Sequence, residues 1–194
     1  MRDLPAIFRQ ALAQSHEMLH ALEAMGDLLQ RATDTIARSL QAGGKLLVCG
    51  NGGSAADAAH FTTEFVVRFI DDRPAYPAIC LSSDGGLLTA AGNDYGFDEI
   101  FARQVAAFGQ EGDVLICLTT SGNSRNVQRA LEEGKTRKLR TISFLGRDGG
   151  AAKGVAEIEF LIADETTARI QEAHMLLLHV LCEAVEERLA QARL

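Results

Sequence analysis

Residues 46–65, LLVCGNGGSAADAAHFTTEF, change character within one short stretch. The stretch opens on an unbroken apolar run of strand length, breaks at Gly50 to Ser54, and continues with apolar residues at helical spacing. An apolar run without alternation is what a strand buried on both faces requires, and a Gly/Ser junction leading into a helix is how a parallel sheet begins a crossover. The same stretch carries a His and a Glu at positions 60 and 64, beyond the junction.

The rest of the chain repeats that grammar. Further strands are predicted at 75–82, 113–120, 139–146 and 156–163, with the first at 45–50, and helical stretches lie between them. Alternating strands and helices predict an α/β fold, a doubly wound five-stranded parallel sheet with helices on both faces. Before it, Leu4, Phe8, Leu12, Leu19, Leu22, Met25, Leu29, Ile36 and Leu40 recur at helical spacing. They predict one or two long helices with a break at Gly26. An arm of this kind needs an apolar surface to pack on, often that of another subunit. A final helix is predicted from Thr166 to about Ala192, with Asp164 or Thr166 as its N-cap. The chain thus reads as one domain over 1–194, with an N-terminal helical arm over 1–42 and an α/β unit with its C-terminal helix over 43–194.

Bulk properties restrict the function classes. With 194 residues and 47% hydrophobic content, the chain suits one sizeable core. A formal net charge of −7, no basic run and no Trp argue against broad contact with nucleic-acid phosphates. No secretory h-region and no apolar run long enough for a bilayer is evident, so a cytoplasmic protein is expected. The four cysteines, at 49, 80, 117 and 182, form no CxxC, and the first three fall in strand-like runs that suit buried reduced thiols.

In an open parallel sheet, ligands bind beyond the carboxyl ends of the strands. Three polar loops fall there: GNGGSA at 50–55, TTSGNS at 119–124 and GRDGG at 146–150. The second places several hydroxyls where a helix begins near Arg125, and unpaired backbone N–H groups at such a start favour an anion. One loop alone would be read as a capped turn; two with this composition favour a phosphate site. Asn93 and Asp94, in GNDYGF, suit sugar hydroxyls or simply a turn. No GxGxxG or Walker motif is present.

His60 and Glu64, at i and i+4, share a helix face, the spacing of a metal-ligand pair, an acid–base couple or an ordinary solvated pair. The last helix offers Gln171, Glu172, His174 and His179. Gln171 and His179 are about 12 Å apart along a straight helix, near the limit for sharing one ion, whereas Gln171 and His174 are easier geometrically.

Together CGNGGSAADAAHFTTEF, GNDYGF, GDVLICLTTSGNS, GRDGG and ARIQEAHMLLLHVLCEAVE resemble the sugar isomerase (SIS) family, and within it the phosphoheptose isomerases. The likeness spans essentially the whole chain. It implies a flavodoxin-like SIS fold and a homotetramer with active sites between subunits. The implied reaction converts sedoheptulose 7-phosphate to D-glycero-D-manno-heptose 7-phosphate for lipopolysaccharide or other heptose glycans. On matching positions, Asn51, Gly52, Gly53 and Ser54 would line the substrate, with Asn93 and Asp94 on its hydroxyls. Thr119, Thr120, Ser121 and Ser124 would hold the phosphate. Zn2+ would be held by His60, Glu64, Gln171 and His179, so the resemblance displaces His174 in favour of His179. Glu64 and Gln171 would also touch substrate. Glu64 is then the base and His179 the acid, roles that suit an enediolate reaction independently.

Two other functions use the same fold. A tetramer that binds the replication initiator DnaA shares the GNSR loop and the ARIQE-H stretch but lacks equivalents of Glu64 and His179. A sugar-phosphate sensor without turnover would need the hydroxyl loops and neither of those residues. The presence of both favours the isomerase.

Overall fold

A computed structural model describes residues 3–192. The five strands are β1 Leu46–Gly50, β2 Ala78–Cys80, β3 Val114–Thr119, β4 Arg140–Gly146 and β5 Ile158–Ile162. All pair in parallel, in the order β2-β1-β3-β4-β5. Around them lie α1 Leu4–Leu22, α2 Gly26–Gln41, α3 Gly53–Val66, α4 Gly85–Tyr95, α5 Ala102–Phe108, α6 Arg125–Thr136 and α7 Thr167–Gln191.

The central strands β1 and β3 are buried at every residue, which is why their sequences are continuous apolar runs. Side-chain alternation divides them between two cores. Val48, Ile116 and Phe144 face α2, α3 and α7, with Phe61, Ile36 and Leu178. Leu47, Cys49, Leu115 and Cys117 face the α5 and α6 side, with Val105, Val127 and Leu131. All four cysteines are free thiols.

Boundaries differ from the sequence reading where one element answers another. The N-terminal arm breaks at a 3-10 turn, Glu23–Met25, so Gly26 opens α2 rather than ending α1. β2 covers only the centre of the expected 75–82. Pro77 has no N–H to give the sheet, although its carbonyl accepts from Leu46 N–H at 3.0 Å. After Cys80 the chain turns, and Ser82 Oγ donates to Gly50 O and accepts from Gly50 N–H. The α3 helix ends at Val66. Arg73 donates to the carbonyls of Glu64 (2.6 Å) and Phe65 (2.9 Å), while Glu186 of α7 accepts from the N–H groups of Phe69 and Ile70. Thr166 takes the N-cap position of α7 without a side-chain capping bond; Asp164 instead accepts from the Thr166 N–H.

The arm is pinned to α7 by Arg169, which donates to Ala11 O at 3.2 Å, and by Ser15, which donates to Glu172 at 3.1 Å. Met18 and Leu22 of α1 enter the core, but Leu4, Ile7, Phe8 and Leu12 remain exposed. Among the described residues, no helix is long and apolar enough to cross a membrane.

Candidate active site

Strand order reverses between β1 and β3: the chain leaves β1 for β2 on one side and returns to β3 on the other. That reversal opens a crevice at the carboxyl ends of the two strands, the place where open α/β sheets bind ligands. A cavity of about 190 Å³ lies there, lined by Asn51, Gly53, Ser54, Leu118, Thr119, Thr120, Ser121, Ser124, Thr167 and Gln171.

Three helices, α3, α6 and α7, start at this cavity. Gly52, Ser124 and Thr166 occupy their N-cap positions, and none makes a side-chain capping bond. The first-turn N–H groups are therefore unanswered by side-chain caps, and the positive ends of the helix dipoles converge on the same space. An anion with several oxygens, such as a phosphate monoester, fits that field. Thr119 Oγ1 accepts from Gly122 N–H at 3.2 Å and lies 3.3 Å from Ser124 Oγ, so the hydroxyls sit within a folded loop.

The loop geometry depends on glycine at two points. A Cβ on Gly53 would stand 2.2 Å from Gln171 Nε2, so α7 reaches the cavity only because position 53 has no side chain. Gly122 has φ +65°, and a Cβ there would meet Gly149 O at 1.9 Å. The GRDGG loop thus backs the phosphate loop and is not among the cavity's lining residues; Ala152 N–H donates to Gly122 O and Ala151 N–H to Asn123 Oδ1.

The second group of predicted residues lies further along the same two helices. His60 Nε2 is 3.1 Å from Glu64 Oε1, and 3.4 Å from His179 Nε2. Phe69 stacks on the His179 ring at 5.7 Å between centroids. The helices run side by side in the same direction, meeting at Gly53 with Gln171 and again at His60 with His179. Seven or eight residues separate the two meeting points on each helix. At the helical rise this is about 11 Å between the anion end and the His/Glu end of the site.

Two imidazole Nε2 atoms facing each other need a cation or proton between their lone pairs. Tetrahedral zinc with Zn–N near 2.0–2.1 Å would hold such nitrogens about 3.4 Å apart, so the donor chemistry of His60 and His179 fits it. Gln171 stands beside Gly53 and would have to turn to join them. As the side chains stand, no three His, Cys, Asp or Glu among the described residues are gathered as a metal site.

The other candidates lie elsewhere. His174 is fully buried, with Nε2 3.4 Å from Leu145 O and its ring edge on Phe144; it is a core residue, not a partner for Gln171. Asn93 and Asp94 lie in the last turn of α4, exposed and bonded to each other at 2.8 Å, and neither lines the cavity of this chain. Thr167, which lines the cavity, and Asp57 were not singled out in the sequence. Asp57 precedes His60 by one helical turn. Its Oδ2 is buried without a hydrogen-bond partner among the described residues, and burial pushes its carboxyl above the ordinary range against the opposing pull of His60. The periodicity that paired His60 with Glu64 would have found it.

Residues 10–146 match the model of the SIS domain family. The phosphoheptose isomerase of Geobacter sulfurreducens is 48% identical over 179 residues, spanning 92% of this chain and 95% of that protein. That of Helicobacter pylori is 42% identical over 184 residues, spanning 95% and 96%. The solved phosphoheptose isomerase of Neisseria gonorrhoeae superposes with a TM-score of 0.88 at 37% identity, covering 95% of this chain and 100% of that one.

Proposed function

The chain belongs to the SIS domain family and to its phosphoheptose isomerases, and on that premise we propose that it interconverts sedoheptulose 7-phosphate and D-glycero-D-manno-heptose 7-phosphate. The observation that carries the reading is the parallel run of α3 and α7, with an anion cavity at one end and His60, Glu64 and His179 about 11 Å away at the other. A heptose 7-phosphate has the same polarity: its phosphate is at C7, and its reacting carbons, C1 and C2, are at the opposite end.

In this mechanism, the starts of α3, α6 and α7, with the hydroxyls of Thr119, Thr120, Ser121 and Ser124, hold the phosphate. Asn51, Gly52, Gly53, Ser54 and Gln171 line the substrate. Glu64 removes the C1 proton of the ketose, giving an enediolate, and a proton is then delivered to C2. His179 moves the hydroxyl proton from O1 to O2, so that C1 becomes the aldehyde and no outside electron acceptor is needed. A Zn2+ held by His60, Glu64, Gln171 and His179 would supply polarisation of the substrate oxygens. Asn93 and Asp94 would act from a neighbouring subunit or after movement of α4.

The proposed assembly is a homotetramer with sites at its interfaces, serving heptose-precursor synthesis in the cytoplasm. Support comes from the exposed apolar stripe of α1 and from Val66, Val67, Ile70, Leu176 and Val180, exposed beside the His/Glu group.

The test is Glu64→Gln, assayed for turnover of sedoheptulose 7-phosphate by NMR and for inorganic phosphate binding, with chelated and zinc-supplemented protein in parallel. Turnover should fall by at least about 10²-fold while phosphate still binds. Unchanged turnover would remove Glu64 from the reaction. Zinc-independent turnover in the wild type would remove the metal from it.

A further inference from the structure

Asn126 lies in the first turn of α6, two residues past Ser124, and is only 2% exposed. A carboxamide buried there costs free energy unless its N–H and C=O groups are answered. The partner comes from across the crevice. Asn126 Nδ2 donates to Asn51 Oδ1 at 2.9 Å, and Asn51 Nδ2 donates to Asn126 Oδ1 at 2.9 Å. The two amides close a ring of two hydrogen bonds between the loop after β1 and the helix after β3.

Resting on the isomerase reading of the site, we propose that Asn126 is a positioning residue, fixing the carboxamide of Asn51 for the sugar phosphate. The reciprocal bonds use one N–H and one oxygen lone pair of Asn51. They set the plane of its amide and leave its second N–H and second lone pair for a ligand in the cavity that Asn51 lines. They also join the two loops at the switch point. Ser82 secures the other side of the β1 loop by its two bonds to Gly50, so Asn51 is held from both directions. The pairing is selective in residue type. An apolar residue at 126 would answer neither hydrogen bond and leave Asn51 free to turn. An Asp, of nearly the same shape, would keep one acceptor and place a carboxylate oxygen against Asn51 Oδ1 with no donor between them. Preorganisation of this kind acts on binding, because a side chain already held in its bound geometry loses less freedom when the ligand arrives.

The test is a double-mutant cycle on the full-length protein with Asn51→Ala, Asn126→Asp and both together, repeated with Asn126→Leu. Each variant is read by dissociation constant for inorganic phosphate, by KM and kcat for sedoheptulose 7-phosphate, and by thermal unfolding. Asn126→Asp should weaken phosphate binding and raise KM by about tenfold while changing kcat less than about threefold. The Asn51→Ala/Asn126→Leu double variant, which adds no charge beside the anion, should bind no worse than Asn51→Ala alone, because Asn126 acts through Asn51. A structural role would instead lower the unfolding temperature and add its loss to that of Asn51→Ala. Additive losses, or phosphate affinity unchanged in both folded Asn126 variants, would overturn the proposal. Wild-type protein that binds phosphate without turning over the heptose would refute the isomerase reading and leave this cycle decisive through phosphate binding alone.

Discussion

Replacing Glu186 by Ala should destabilise the protein more than any surface substitution on α7. The Glu186 and Arg73 side chains are each 7% exposed, with Arg73 Nε 2.5 Å from Glu186 Oε1. The carboxylate also accepts from the N–H groups of Phe69 (3.0 Å), Ile70 (3.1 Å) and Asp71 (3.4 Å). Its removal strands a buried guanidinium that keeps only the carbonyls of Glu64, Phe65 and Pro74 and the Tyr76 ring. Breaking one side of such a buried pair costs about 3–5 kcal/mol. For a domain of this size that lowers the melting temperature by about 6–20 °C. Removing both charges with Arg73→Met/Glu186→Leu should cost less than the two single changes summed, since no unpaired charge remains. Calorimetry of the wild type, Glu186→Ala, Arg73→Met, Glu186→Leu and the double variant checks this. A loss below about 1 kcal/mol for Glu186→Ala, with additive behaviour in the double variant, would refute the clamp.

The same residue gives that prediction a pH signature. Burial alone would raise the Glu186 pKa; the N–H groups of Phe69 and Ile70, the Arg73 guanidinium and the Asp71 N–H outweigh it and hold the carboxyl below the ordinary 4.5. Its contribution is therefore present above pH 4.5 and is lost as pH falls through the lowered folded value, because there the unfolded chain binds the extra proton first. Glu186→Gln should flatten that acid limb without abolishing it. Asp34, held down first by its bond from Arg188, and Glu132, held down first by its bond from Arg129, carry the same dependence.

Two further predictions concern single positions. Gly122→Ala should destabilise by at least about 1–3 kcal/mol from its φ of +65° alone and weaken phosphate binding, since a Cβ would press on Gly149 O; unchanged phosphate affinity would show that the two loops need not touch. His174 is held at about 4 by burial, partly offset by Leu145 O. Between the ordinary 6.5 and 4 the unfolded chain binds a proton that the folded chain refuses, so stability falls as pH drops through that window. In His174→Met the fall over the same window should be smaller, and an identical slope in urea titrations would refute the assignment.

What the sequence made legible follows from how local each signal is. β1 and β3 could be read because two-faced burial writes an uninterrupted apolar run, and the polar loop at 119–124 that lines the cavity because hydroxyls and glycine gather next to a strand end. The His60/Glu64 pair followed from one helical repeat. Residues that meet only through the fold left no such mark. Asn51 and Asn126 are 75 positions apart, and Phe69 and Glu186 are 117 apart. The local structure at Asn93 and Asp94 was hidden for a related reason. Their composition is that of a turn, yet the Asp84 cap, bonded to Leu87 N–H at 3.0 Å, starts a helix that carries both. Spacing alone could not distinguish His174 from His179, because that depends on which face of α7 meets the sheet; the family resemblance supplied the choice.

The three contacts of α3 and the chain that leaves it with α7 explain why one crossover carries both the start of the polar cavity and the His60/Glu64 pair. Gly53 admits Gln171 at the helix starts, His60 meets His179 two turns on, and Glu186, seven residues past His179, binds the chain that leaves α3. An interval of seven residues returns to within about 20° of the same face of a helix, and one of eight lies about 80° round from it. Parallel helices in this register keep a fixed separation between the cavity and the His60/His179 group. Shifting either helix by one residue would turn its contacts by about 100° and part all three pairs at once. The clamp at the far end resists that shift. Arg73 and Glu186 tie the end of α3 to α7, and Phe69, anchored through its N–H, lies on the His179 ring. The stability of the clamp and the alignment of the site are thus consequences of one packing register, whose signature is distributed over residues 53, 60, 69, 73, 171, 179 and 186.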